Sequence, residues 1–306
     1  VMIPMMVEKG YDPDYSVGVT ISSAIQGVVV PPSHNMVLYS IVAGGVSVGS
    51  MFLAGMIPGL ILLASLMITG YLIGLKRGYG YGEPVIKSQI PSILVHGLLS
   101  FTPAVIIVSA IISGWATATE AGAIAAVYAF ILAFLAYREA PLKNMRGVLI
   151  RTFRTVLMVF FLIAASQAFG WVMAYLHLPD IITDWFLAVS DQPWIILLMI
   201  NILLLLLGGP MDMAPMILIL TPILLPVCVK LGMDPIQFGI IMIFNSGMGL
   251  LTPPVGTVLF VGCAIGKVSV EAGTKAMLPF FYAMIVVLMA ITYIPAITMW
   301  LPKMFM

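Results

Sequence analysis

Gly27-Val28-Val29-Val30-Pro31-Pro32-Ser33-His34-Asn35 and Gly249-Leu250-Leu251-Thr252-Pro253-Pro254-Val255-Gly256-Thr257 are the stretches that decide the fold. Each sets a proline pair inside a long apolar run, 15–45 and 236–266. A bilayer crossing needs about 20 apolar helical residues. Proline removes an N–H and clashes with the preceding turn, so each helix must unwind at its pair. Freed carbonyls are costly against lipid and persist only where they face protein, water or an ion. Ser22, Ser23, Gln26, Gly27, Ser33, His34 and Asn35 flank the first break, and Asn245, Ser246, Gly249, Thr252 and Thr257 the second. Hydroxyl, amide and backbone oxygens beside an unwound helix suit a Na⁺ ion, and half-helix N-termini favour an anionic substrate.

The two stretches belong to a duplication. At an offset of 222, Pro4, Gly10, Asp12, Pro13, Gly27, Pro31, Pro32, Gly44 and Ser47 meet Pro226, Gly232, Asp234, Pro235, Gly249, Pro253, Pro254, Gly266 and Ser269, without a gap. Val7, Ile21, Val46 and Val48 meet Val229, Ile243, Val268 and Val270. Background composition would give roughly a third as many identities. Most matches are Gly, Pro, Asp or Ser, which apolar bias does not explain.

Composition excludes most function classes. The chain has 306 residues, 62% hydrophobic and 8% charged, against about 25% charged in a soluble domain. Soluble enzymes, nucleic-acid binders and extracellular modules are ruled out. Further apolar stretches lie near 52–74, 99–137, 155–176, 193–229 and 277–302. They predict about seven to nine membrane-embedded helical segments, with 99–137 split near Gly114. Lys76, Arg77 and Lys87 form one basic connection, and Arg138, Lys143, Arg146, Arg151 and Arg154 another, opposed only by Glu139. Both read as cytoplasmic. Segment 177–192, with Asp180, Asp184 and Asp191, reads as external. On these charges the two copies have opposite orientations. Trp171 and Tyr175 read as interfacial anchors, and Cys228 and Cys263 as packing residues.

Residues 194–207 and 214–229 read as two arms, each short of a crossing, around Gly208-Gly209-Pro210-Met211-Asp212. This predicts a re-entrant hairpin with a polar tip. The first copy shows only the end of such a hairpin, and the chain opens with Val1, so the reading is of an N-terminally trimmed fragment. The expected parts are 1–50 and 193–276 for transport, 51–192 as scaffold and connecting arm, and 277–306 as a C-terminal transmembrane helix. The fold class is an all-α polytopic membrane protein with inverted repeats, re-entrant hairpins and broken helices.

Candidate ion ligands are Ser23, Gly27, Ser33, Asn35, Asp212, Asn245, Gly249, Thr252 and Thr257. Candidate substrate or gating residues are Pro31, Pro32, Pro253, Pro254 and Glu120. Asp212 has a second reading as a helix cap, and so does Glu120, in Thr117-Ala118-Thr119-Glu120. His34 reads as a hydrogen-bonded structural residue or a ligand. Neither Gly78-Tyr79-Gly80-Tyr81-Gly82 nor Gly262-Cys263-Ala264-Ile265-Gly266-Lys267-Val268 has the context or spacing of a nucleotide loop. No HExxH or GxSxG is present. The expected source of energy is therefore an ion gradient, with no organic cofactor and no catalytic residue.

Pro31-Pro32-Ser33-His34-Asn35, Tyr39-Ser40 and Ala43-Gly44-Gly45 resemble the large membrane subunit of TRAP transporters, the tripartite ATP-independent periplasmic (DctM-like) family. Three further stretches are similar to it: Thr117-Ala118-Thr119-Glu120-Ala121, Ile217-Leu218-Ile219-Leu220-Thr221-Pro222-Ile223-Leu224-Leu225-Pro226, and Gly249 to Thr257. The family often has Thr-Pro-Thr-Glu where this chain has Ala118. The resemblance implies Na⁺-coupled import of organic acids such as four-carbon dicarboxylates or sialic acid across the bacterial inner membrane. It also implies two partners, a small membrane subunit and a soluble periplasmic substrate-binding protein. The alternatives are a stand-alone Na⁺/carboxylate symporter or ion antiporter, a non-transporting scaffold subunit, and an intramembrane enzyme.

Overall fold

Paired Asp-Pro steps start the broken helix in both copies. A computed structural model describes residues 1–79, 90–136, 145–254 and 256–305. In the first copy α1 (Met2–Glu8) leads through a turn at Gly10 to α2 (Pro13–Ser23), α3 (Gln26–Val29), α4 (His34–Val42) and α5 (Val48–Arg77). Pro13 occupies the first helical position, where its missing N–H costs nothing. Gly10 and its mate Gly232 both adopt positive φ, +89° and +85°, a conformation that suits glycine.

Packing divides the chain into two units, Val1–Tyr79 with Ala165–Met306, and Gly80–Ala164. The larger unit includes α5.

The smaller unit holds α6 (Ile90–Ile112), α7 (Ala118–Ile131), a π-helical turn (Leu132–Ala136) and the start of α8 (Met145–Tyr175). Gly114, at φ +69°, ends α6, so the expected division of 99–137 is present. The tyrosine hydroxyl of Tyr128 donates to the Leu99 carbonyl at 3.3 Å.

The larger unit continues with α9 (Leu178–Val189), α10 (Pro193–Gly208), α11 (Met213–Lys230), α12 (Pro235–Gly249), α13 (Thr257–Gly266), α14 (Val270–Tyr293) and α15 (Pro295–Phe305). The second copy therefore starts at the end of α11. Its α12, α13 and α14 answer to α2, α4 and α5. Ser47 and Ser269 cap α5 and α14 identically, accepting from Ser50 N and Ala272 N, each at 3.2 Å. The copies interlock: α1 packs on α2 and α13, and α11 packs on α12 and α4. Small residues permit close approaches between them, Gly18 on Ala276, Gly262 on Ile21 and Gly266 on Val17. Tyr39, Phe52, Phe238, Phe244 and Phe280 are fully buried among these helices.

Among the described residues no strand occurs. Among the described residues four helices are long and apolar enough to cross a membrane, α5, α8, α11 and α14. The chain is an all-α polytopic membrane protein.

Four expectations need correction. Arg146, Arg151 and Arg154 lie in the first turns of α8 rather than in a connection. Arg138, Glu139, Lys143 and Lys87 fall outside the described residues. The acidic segment 177–192 is largely helical: α9 buries Thr183 and Phe186 while Ile181, Trp185, Asp180 and Asp184 stay exposed. The hairpin arms have 16 and 18 residues, so α11 reaches the lower limit of a crossing while α10 does not. The C-terminal segment starts at Val270 and divides at Pro295. Pro295 has no N–H for the Ile291 carbonyl, and Gln237 Nε2 takes its place, donating to Ile291 O and Thr292 O at 3.1 and 3.0 Å.

Candidate functional site

Both proline pairs break their helices. The first gap lies between α3 and α4 at residues 30–33, and the second between the end of α12 at Gly249 and the start of α13 at Thr257. Both Pro-Pro bonds are cis. In the second copy the tip between α10 and α11 sits directly on the break. A Cβ on Gly249 would fall 2.5 Å from Gly208 Cα, and one on Gly209 would lie 3.1 Å from the Pro253 carbonyl and 3.5 Å from Thr252 Oγ1. Only glycine lets the two backbones meet there. Thr252 Oγ1 itself donates to the Gly249 carbonyl at 2.9 Å. Asp212 follows the tip as the N-cap of α11, its Oδ1 accepting from Met213 N at 2.9 Å. Of its two readings, the cap is the one the geometry shows.

The first break reaches the same region through Asn35. Its Nδ2 donates to Met213 Sδ at 3.6 Å, and both residues are buried. Ser33 and Asn35 are 4% and 1% exposed, and Ser33 Oγ and Asn35 Oδ1 have no hydrogen-bond partner. Met213 thus joins Asn35 to the Asp212 tip, and Gly209 joins the tip to Thr252, Pro253 and Pro254. His34 is exposed at the first position of α4, and no hydrogen bond of its side chain bears out the structural reading.

Asn245 is fully buried one turn before the second break, and its Oδ1 is likewise unpartnered. Its Nδ2 donates to Asn201 Oδ1 at 2.8 Å, and Asn201 Nδ2 to Thr292 Oγ1 at 3.1 Å. Sequence reasoning did not single out Asn201, Thr292 or Gln237. A lone asparagine inside the run Trp194–Leu207 was the available signal, since polar groups in apolar helices mark interhelical contacts.

Other candidates stand apart. Ser23 is exposed and donates to Thr20 O at 2.9 Å. Gly27 is exposed, and a Cβ there would meet nothing within 4 Å. Its mate Gly249 lies under Gly208. Thr257 is exposed on α13 and lines, with Thr20, Ile21 and Gly262, a largely apolar cavity of about 330 Å³. Glu120 belongs to the smaller unit and closes a capping box: Thr117 N donates to its Oε2 at 2.8 Å, and Glu120 N donates to Thr117 Oγ1 at 3.3 Å. Its second reading, as a cap, is the one realised.

A duplicated, helix-broken, polytopic membrane chain has the architecture of a transport protein. The family model described as the tripartite ATP-independent periplasmic transporter, DctM component, matches residues 1–297. The chain belongs to this family. It is similar to the uncharacterised protein YgiK of Salmonella typhimurium, 41% identical over 100% of this chain and 70% of that protein. It is also similar to the C4-dicarboxylate TRAP transporter large permease protein DctM of Pseudomonas aeruginosa, at 37% over 99% and 71%. The sialic acid TRAP transporter large permease protein SiaM of Vibrio cholerae is 36% identical over 99% and 71%. These two named relatives are permease proteins rather than enzymes.

Proposed function

We propose that this chain is the permease subunit of a Na⁺-coupled organic-acid importer of the bacterial inner membrane. It would act with a small membrane subunit and a periplasmic substrate-binding protein. One observation carries the ion assignment. Asn35 Oδ1 beside the first break and Asn245 Oδ1 beside the second are buried acceptors without a donor. A buried polar atom left bare costs about 1–3 kcal/mol, and a dehydrated cation removes that cost. Hard cations take oxygen ligands. Ser33, Thr252 and backbone carbonyls beside Pro31, Pro32, Pro253 and Pro254 supply further oxygens; Gly249 and Asp212 lie at the hairpin tip, whereas Ser23, Gly27 and Thr257 stand apart.

The substrate class rests on the named relatives, one a sialic acid and one a C4-dicarboxylate transporter. Both substrates are carboxylates, and the N-termini of α4, α11 and α13 favour negative charge. The test is uptake by proteoliposomes holding the full-length subunit and both partners. Uptake is expected only under an inward Na⁺ gradient, and equal uptake with choline in place of Na⁺ would overturn the coupling. Calorimetry on the partner binding protein identifies the acid.

A further inference from the structure

The buried amides of α10 and α12 form a hydrogen-bond relay with a fixed direction. Thr292 Oγ1, on α14, donates to Leu288 O at 2.8 Å, so it accepts the 3.1 Å bond from Asn201 Nδ2. Asn201 Nδ2 also donates to Leu197 O, four residues back, at 3.0 Å. Asn245 Nδ2 donates to Asn201 Oδ1 at 2.8 Å and to Ile241 O, again four residues back, at 2.9 Å. Neither amide can be turned over. Rotating Asn201 would face its oxygen onto the Leu197 carbonyl, and rotating Asn245 would face its oxygen onto the Ile241 carbonyl and Asn201 Oδ1. Carbonyl oxygens only accept. Every donor in the relay is therefore spent, and what remains is one acceptor, Asn245 Oδ1, on a side chain with no solvent exposure.

We propose that Asn201 and Thr292 are positioning residues of a cation site whose side-chain ligand is Asn245 Oδ1. Their relay holds the Asn245 amide so that it presents oxygen, never nitrogen. Such an end suits a dehydrated alkali cation and repels a carboxylate, so it separates the ion's place from the substrate's. It also ties the first hairpin arm to the broken helix at the depth of Asn245. This inference rests on the Na⁺-coupled reading above.

The test uses the full-length subunit purified with its small membrane partner. NaCl is titrated against choline chloride at constant ionic strength, reading the melting temperature and, in proteoliposomes with the binding protein, uptake. Asn201→Ala and Thr292→Val are each expected to raise the half-saturating Na⁺ concentration roughly three- to ten-fold, the loss of about one hydrogen bond. The half-saturating substrate concentration at high Na⁺ should move much less. Asn201→Ala combined with Asn245→Ala should shift the Na⁺ titration no further than Asn245→Ala alone, because the first acts through the second. Thr292→Val, nearly matched in volume, carries the test where Asn201→Ala fails to assemble. Unchanged Na⁺ half-saturation in the assembled variants, or additive shifts, overturns the relay. If Asn245→Ala still weakens Na⁺ in that case, the transport reading survives. A wild type indifferent to Na⁺ removes both.

Discussion

Gly249 has the least room of the glycines at the second break. A Cβ there would fall 2.5–2.6 Å from Gly208 Cα, C and O, all backbone atoms of the hairpin. No rotamer change relieves such a contact, so the hairpin must lift. Gly249→Ala is expected to destabilise the protein by about 1–3 kcal/mol, the range of overpacked interiors, read as a lower melting temperature in detergent. Gly122→Ala is the control: it lies within α7, and a Cβ there meets nothing within 4 Å. It should be neutral or stabilising by about 0.5–1 kcal/mol, the helix-interior cost of glycine. Equal losses in the two variants would refute the close approach. The same residues mark how far the sequence was legible. The helix breaks at the proline pairs and the close approach at Gly249 have a local cause, because proline and glycine act through backbone sterics. Asp212 and Glu120 were readable only as alternatives, since a cap depends on where a helix begins. Asn201 was not read at all, because its partner is 44 residues away on another helix.

Between elements, the start of α2 is clamped to the end of α5. Arg77 donates to Asp12 Oδ2 and Asp14 Oδ1 through Nη1 and to Asp14 Oδ2 through Nη2, each at 2.9 Å. The Tyr79 hydroxyl donates to Asp12 Oδ2 at 2.7 Å, and Arg77 lies 5.6 Å from the Tyr15 ring centre. Asp12 gives up the capping role that its mate Asp234 keeps toward Ile236 N at 2.8 Å. The Arg77 hydrogen bonds hold the Asp14 carboxyl below its usual range. A carboxyl lowered on folding contributes stability above its unfolded pKa, about 4, and loses it as pH falls through the folded value. Melting temperature should therefore drop on acidification below about pH 4. Arg77→Gln should flatten that drop and cost roughly 0.5–1 kcal/mol at neutral pH, since the cluster is partly solvated. A pH profile identical to wild type would remove the clamp. A buried counterpart lies at the C-terminal end of α14, where Gln237 satisfies the two carbonyls before Pro295. Gln237→Leu leaves both bare, and a loss of about 1–3 kcal/mol per unsatisfied group is expected. Sequence charge pattern found Arg77 but read it only as an orientation marker. The clamp needs the α2–α5 packing, which no local pattern encodes.

At the scale of the molecule, the duplication was legible because thirteen identities align at one offset, and the break positions followed from the prolines. How the copies embrace was not legible. Packing of α1 on α13 and of α11 on α4 joins each half-helix to the opposite copy's arm. Transport by rocking requires the copies to slide against one another; transport by an elevator-like motion carries them together. The interlocked packing within one unit favours the second. A Cβ built on Gly262 of α13 lies 3.8 Å from Ile21 Cβ of α2, the mean separation for a disulfide. Ile21→Cys with Gly262→Cys, in a background where Cys228 and Cys263 are replaced by alanine, therefore bridges first copy to second. Val17→Cys with Gly266→Cys, at 3.7 Å, is an independent bridge about one turn away along the same helices. If the copies move as one body, oxidising either bridge leaves uptake at the level of the reduced protein. If they rock, oxidation abolishes uptake and a reductant restores it, and the one-body motion is wrong. Bridge formation is scored by mass spectrometry on the same vesicles, so an unformed disulfide is not mistaken for a tolerated one.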